Sequence, residues 1–245
     1  MSEELYDTIL RRKSVRDFLD KPVEPEKRQK IYDAIVAAPT TENMMMYTVI
    51  SVDDPDTRAL LSRQPAMKKA PMVLVFCADY RRWAHLFDGQ TESNRRPGIG
   101  EYQLAVIDAT IAAENAVLAA ESLGLSSVYL GDIMEHFEDR AAALGLPDGV
   151  APVVSLCIGY ATPAQAERAP VRRYPQNMVI HSEKYHDFTR DELLTMVQER
   201  SSLPDREATA AWVQKFARRA VEGKGAAERT RSLETVLQSW KDITF

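Results

Sequence analysis

The chain has 245 residues, 45% apolar and 27% charged, and its 31 basic and 36 acidic side chains give a formal charge of −5. That length buries a sizeable core, and the acidic balance leaves no basic field of the kind that draws nucleic acid. Two cysteines exclude a disulfide scaffold and a four-cysteine metal site, and ten glycines argue against a chain built around glycine-rich phosphate loops.

The opening MSEELYD is acidic and polar, unlike a signal or transit peptide, and no apolar stretch reads as approaching the ~20 residues of a bilayer span. A cytoplasmic protein with reduced thiols and no membrane partner is expected. Leu5–Arg12 reads as a short helix, and Glu24–Ala37 as a second, with Pro25 in its first turn. Tyr47–Val52 and Met72–Ala78 read as strands, and the polar interval Trp83–Pro97 as a mobile loop. The longest helical pattern, Gln103–Leu123, is apolar on most sides and therefore buried, with Gly124 as its cap. A strand at Ser127–Gly131, a helix at Glu135–Leu144 closed by Gly145, and a strand at Val153–Gly159 follow. The last three strands are nearly continuous apolar runs, which places them in a sheet covered on both faces. Cys77 and Cys157 lie inside such runs and read as buried core thiols.

Thr189–Arg200, Glu207–Val221 and Ala226–Trp240 then read as amphipathic helices without further strands. Residues 200–245 hold nine basic and six acidic side chains, leaving 22 and 30 in residues 1–199. This asymmetry suits either a tail that meets an anionic ligand or a solvated helical face. The division expected is residues 1–199 as the main domain and 200–245 as a helical C-terminal extension.

Most catalytic signatures are missing. No GxxxxGK[ST], HExxH or GxSxG motif occurs, and Gly98-Ile99-Gly100 follows a loop and lacks a third glycine. His85, His136, His181 and His186 are scattered, and no metal site is expected. Asp53-Asp54 beside a proline read as solvated. Side chains alone supply no obvious acid–base or nucleophilic machinery, so if the chain is an enzyme a bound cofactor would carry the chemistry. The segment Arg11-Arg12-Lys13-Ser14-Val15-Arg16 packs four cations and a hydroxyl close together. Guanidinium forks match phosphate bidentately, although a basic cluster at a helix C-terminus also complements the macrodipole. A second cationic point, Arg172-Arg173, follows the last strand.

In five segments the chain resembles the nitroreductase family of FMN-dependent oxidoreductases. They are RKSVRDF, AAPTTENMMMYTVI, KKAPMVLVFCADYRR, AVLAAESLGLSSVYLGDI, and PVVSLCIGYATP with RRYPQNMVIHSEKY, in that order over about residues 5–185. The branch of NADPH-dependent, oxygen-insensitive nitroreductases and NADPH–flavin oxidoreductases is the nearest in pattern. The resemblance implies an α+β fold with a central mixed sheet wrapped by helices. It also implies an intertwined homodimer with FMN sites at the subunit interface.

On that resemblance Arg12, Lys13, Ser14 and Arg16 hold the FMN phosphate and ribityl chain, and Arg173 closes on the same phosphate. A second cation expected two positions earlier falls at Val171, so Arg172 substitutes for it or the contact is lost. Gln64 bonds the polar edge of the isoalloxazine. Tyr129, Leu130 and Gly131 form the strand end whose backbone approaches flavin N5, and Gly131 is the one catalytic position. Thr40, Thr41 and Asn43 supply polar contacts where the branch is serine-rich, and Glu42 adds a negative charge. Met44, Met45 and Met46 read as adaptable core or as a pliable pocket lining. Arg200 and Arg206 are candidates for the NADPH phosphate.

The implied activity is a ping-pong, two-electron transfer from NADPH or NADH through FMN to a small acceptor: a nitroaromatic, a quinone or free flavin. The alternatives are a reductive dehalogenase or flavin-fragmenting relative, and a non-enzymatic interaction or nucleic-acid module using the basic opening segment.

Overall fold

A computed structural model describes residues 2–90, 92, 95–241 and 243. The chain forms two compact units, one of residues 1–168 with 228–245 and one of residues 169–227. The division expected at 199/200 falls inside the second of these.

The first unit opens with α1 (Ser2–Arg11) and α2 (Pro25–Val36), then β1 (Tyr47–Ser51), α3 (Pro55–Leu61), α4 (Pro65–Lys69) and β2 (Met72–Asp79). It continues with α5 (Arg81–Phe87), α6 (Ile99–Ser122), β3 (Ser126–Leu130), α7 (Phe137–Leu144), β4 (Val150–Gly159) and α8 (Pro163–Ala166). The sheet order is β1-β2-β4-β3, and all three pairings are antiparallel. The resemblance implied an α+β fold with a mixed sheet; the fold is α+β, the four strands named here pair antiparallel, and a parallel pairing occurs at the isolated bridge Ser14–Ser127, outside them.

Why β2 reads as an unbroken apolar run is visible in its packing, since all eight residues are buried. Leu74, Phe76 and Ala78 point into a core with α2 and α6, while Val73, Val75 and Cys77 point into a second core on the opposite face. Period-two alternation therefore sorts side chains between two cores rather than between core and water. Both thiols are buried, and burial pushes each up to about 12.

α6 presents Ala105, Ala109, Ala112, Ala113, Ala116 and Val117 to the sheet, all fully buried. Small residues at this spacing let the helix lie close to the strands. By length and composition α6 does reach a membrane span, contrary to the sequence expectation, but its buried face is the first core. It ends at Gly124, whose φ of +75° suits a glycine cap. The helix expected from Glu135 starts later, because His136 is left-handed at φ 53°.

The loop expected over 83–97 is corrected in its first part. Asp79 Oδ1 accepts from the backbone N–H of Arg81 at 3.0 Å, and α5 then runs to Phe87. Thr91, Ser93 and Asn94 lie outside the described residues. Asp53 and Asp54 are exposed as expected, yet Asp54 caps α3 through the Thr57 N–H at 2.7 Å, and Asp53 pairs with Arg28 at 3.4 Å.

The last helix, α11 (Lys224–Lys241), returns to the first unit, burying Val236 and Trp240 in its core. The second unit holds α9 (Arg190–Ser201), opened by a Thr189/Glu192 capping box, and α10 (Arg206–Val221), capped by Asp205.

Candidate functional site

The arm after α1 is fixed by strand-type pairing. The Val15 N–H donates to the Ser127 carbonyl at 2.9 Å, and the Leu19 N–H to the Tyr160 carbonyl at 2.8 Å. Val15 and Phe18 anchor it in the second core. Gly159 permits this close approach: a Cβ there would lie 2.5 Å from Pro71 Cδ and 3.0 Å from Phe18 Cδ1. With Val15 inward, Arg16 is exposed, and its guanidinium has no hydrogen-bond or ion-pair partner among the described residues. Ser14 is half-buried beside it.

Lys13 has a different local task. Its ammonium donates to the Ala166 carbonyl at 2.5 Å and to the Arg168 carbonyl, while the Arg168 guanidinium donates back to the Ser14 carbonyl. The Arg16 N–H also meets Gln165 Oε1 at 3.4 Å. The turn around α8 thus clasps the arm. Sequence reasoning missed Gln165 and Arg168, which lie some 150 positions from the residues they hold.

Behind the arm, Glu121 in the last turn of α6 accepts from Ser127 Oγ at 3.5 Å. Burial pushes its carboxyl up to about 7, against the pull of Arg12, Ser127 and Lys13.

Ser127 carries the arm on β3, and β3 leads to Tyr129, Leu130 and Gly131. Tyr129 donates from its hydroxyl to Glu114 at 3.0 Å, and burial raises its phenol. Gly131 is exposed and opens a short 3-10 turn. A Cβ at that position would meet only the Met134 methyl, at 3.7 Å, and its φ is not positive. No protein atom demands a glycine there, so the open space over it suits the close approach of a ligand. Next door, Asp132 Oδ2 accepts from Ser62 Oγ at 2.6 Å, and Ser62 Oγ accepts from the Gln64 N–H at 3.1 Å. Gln64, exposed at the start of α4, is thereby tied to the Gly131 turn. Asp132 Oδ1 is buried with no partner.

The Ser14–Ser127 bridge thus joins the arm of Arg12, Ser14 and Arg16 to the strand that ends at Tyr129 and Gly131, and the Ser62 link joins Gln64 to the turn at its end. Thr40, Thr41 and Asn43 sit elsewhere, in the loop before β1. No hydrogen bond or ion pair among the described residues joins that loop to the arm or to the Gly131 turn. Met46 is buried core, and Met44 and Met45 are half-buried against it. In the second unit Arg172 reaches Ser202 Oγ at 3.5 Å and Arg173 is exposed. Arg200 lies 5.0 Å over the Tyr174 ring, and Arg206 pairs with Asp191 at 3.4 Å.

The arrangement can take an elongated anion. Arg12 and Arg16 offer guanidinium forks at one end, and the open glycine turn lies four residues along β3 from Ser127, about 13 Å at the rise of a strand. FMN fits this donor set, with phosphate at one end, a ribityl chain, and a planar ring at the other.

A model described as the nitroreductase family matches residues 49–160. The NAD(P)H-type FMN reductase of Bacillus subtilis (strain 168) is 32% identical over 203 residues, covering 80% of this chain and 79% of that protein. Among solved structures, the NfrA1 nitroreductase from B. subtilis superposes with a TM-score of 0.79 at 25% identity, covering 96% of this chain and 98% of its own. The NADPH:FMN oxidoreductase from Vibrio harveyi, complexed with NAD+, does so at 0.77 and 26% identity, covering 95% and 97%.

Proposed function

This chain belongs to the nitroreductase family, and on that premise we propose that it works as an FMN-dependent NAD(P)H oxidoreductase reducing small acceptors such as nitroaromatics, quinones or free flavin. The observation that supports the reading is the docking of the cationic arm, with Arg16 exposed, on β3, the strand that ends at the open turn of Gly131. The names of the relatives fit this reading and not the dehalogenase or flavin-fragmenting alternative.

When bound, FMN supplies a two-electron carrier between the nicotinamide and the acceptor. Arg12, Ser14 and Arg16 hold its phosphate, while Lys13 sets the arm by gripping two carbonyls. Gln64 bonds the polar ring edge, and Gly131 leaves room for the ring. Arg172 and Arg173 add cations, and Arg200 and Arg206 are the choices for the phosphate of NADPH. No side chain near Gly131 is needed as a dedicated acid or base. Orientation of nicotinamide and acceptor in one shared place supplies the rate, and protons come from water.

A homodimer completes the site. Leu104, Ile107 and Ile111 form an exposed apolar stripe on α6, 37–43% accessible, and Leu5 and Ile9 repeat the pattern on α1. Such apolar stripes, outside the buried alanine face of α6, suit a partner surface. The loop 40–43, separate from the arm in its own chain, is the segment that reaches the partner's flavin. A cytoplasmic location, where Cys77 and Cys157 stay reduced, belongs to the same proposal.

The test is the purified protein itself. It should be yellow, bleach on anaerobic addition of NADPH or NADH, and turn over with a quinone or nitrofurazone. A colourless protein that takes up no added FMN would refute the reading.

A further inference from the structure

We infer that Asp108 of α6 is the positioning residue that staples the loop 40–46 into the conformation it offers to the flavin. This rests on the flavin reading above and adds to it a residue that touches neither cofactor nor substrate.

Asp108 is 1% accessible. A carboxylate that deep must be compensated, and among the described residues its side-chain hydrogen bonds come from one loop. Oδ1 accepts from the Thr41 N–H at 3.0 Å and from Thr41 Oγ1 at 3.2 Å, and Oδ2 accepts from the Met46 N–H at 3.2 Å. One carboxylate thus holds both ends of the loop, one end on each oxygen.

What it holds is strained. Glu42, Asn43 and Met45 have φ of 51°, 59° and 50°, left-handed values that only glycine adopts freely. Three such residues in four persist only where surrounding bonds over-determine the backbone. The rest of the loop is claimed in the same way. Trp83 Nε1 donates to the Met44 carbonyl at 2.6 Å, Arg82 to the Met45 carbonyl at 2.9 Å, and the Met45 N–H to Thr40 Oγ1 at 2.7 Å. With its backbone drawn inward, the loop leaves Glu42 and Asn43 exposed. Asp108 also sits between Ile107 and Ile111 on α6. The staple and the proposed subunit contact therefore occupy two sides of the same helical turns, so the loop is set relative to the partner.

The substitution Asp108→Asn would keep the size of the side chain and lose half of the staple. The single carbonyl oxygen of the amide serves one end, while its NH2 opposes an N–H at the other. D108N should weaken FMN binding at least tenfold, read by quenching of flavin fluorescence. Since the staple's task is to hold left-handed backbone, the substitution E42G should relieve part of that need. E42G should raise the FMN affinity of D108N at least threefold more than it raises that of the unaltered protein, a comparison that cancels the loss of the Glu42 charge. A residue with a purely packing role gives no such recovery.

Two further readouts keep the cases apart. Unaltered protein that takes up no FMN overturns the flavin reading. Unaltered protein that binds FMN while D108N binds it equally well, or while E42G raises both affinities alike, overturns this inference alone. Hydrogen exchange on the unaltered holoprotein covers the case in which D108N fails to fold. The Thr41 and Met46 amides should be protected to the level of β2, and exchange at the rate of a free loop overturns the staple.

Discussion

Glu121 sets up the most searching test of the arm. Its carboxyl is raised from an ordinary 4.5 to about 7, chiefly by burial, while Arg12, Ser127 and Lys13 pull the other way. A carboxyl with a raised folded value favours folding below its unfolded value and loses that contribution as pH climbs through the folded one. Between pH 4.5 and about 7 the unaltered protein should therefore lose stability relative to E121Q, whose amide mimics the neutral acid. At 1.36 kcal/mol per unit the shift sets a ceiling of roughly 3 kcal/mol, and screening at the exposed edge of the side chain brings the measured difference below it. Urea denaturation of both apo-proteins at a fixed protein concentration from pH 4.5 to 8 reads this directly. FMN extends the test. A phosphate dianion on Arg12 competes with the carboxylate for the same cation, so binding should take up a proton at Glu121. Above pH 7 FMN affinity should fall for the unaltered protein and not for E121Q. Comparing the two cancels the titration of the phosphate itself. Stability and affinity differences that stay flat across the range would refute both the buried carboxyl and its coupling to the arm.

Arg16→Ala should weaken FMN by about 1.5–3 kcal/mol, the scale of a hydrogen bond to a charged group, measured by fluorescence titration; an unchanged affinity removes Arg16 from the phosphate. Ile107→Arg places a charge in the apolar stripe of α6, and sedimentation should show dimer giving way to monomer with FMN retention falling alongside. The third concerns α11. Hydrogen bonds from Arg231 hold Glu138 and Glu228 down at about 2. Lowered carboxyl values contribute stability above about 4.5 that is lost as pH falls toward 2. Arg231→Ala should therefore melt earlier than the unaltered protein at pH 7, and the gap in Tm should close in acid.

The strands were legible because the sheet is covered on both faces. Met72–Ala78 is an apolar run, and its strand ends one residue later, at Asp79, where the carboxylate turns to start α5. Helices of eight or more residues were legible from their pattern, and Gly124 and Gly145 mark the ends of two of them with positive φ. The short helices were not. α3 and α4 run seven and five residues, less than two turns, and give no period to count. Their signals were local: proline at the first position of each, and Asp54 before Pro55 as a cap.

The site divides along the same line. Its cations were legible as residue types, since four in six positions is a density few surfaces require. Their placement was not, because the Ser14–Ser127 bridge and the Lys13–Arg168 clasp join positions more than a hundred residues apart. The least legible residues were the acids of α6. Asp108 falls in phase with Ala105 and Ala112 on the buried face, and Glu121 lies one residue after buried Ala120. An apolar helix gains nothing from burying a carboxylate unless donors await it. Asp108 meets three donors, and its helix faces the loop that bears the strain. Glu121 meets the Ser127 hydroxyl only at 3.5 Å, and it faces the cations that await an anion. Each acid is costly where it stands, and the backbone or charge that offsets the cost belongs in both cases to a segment assigned to FMN.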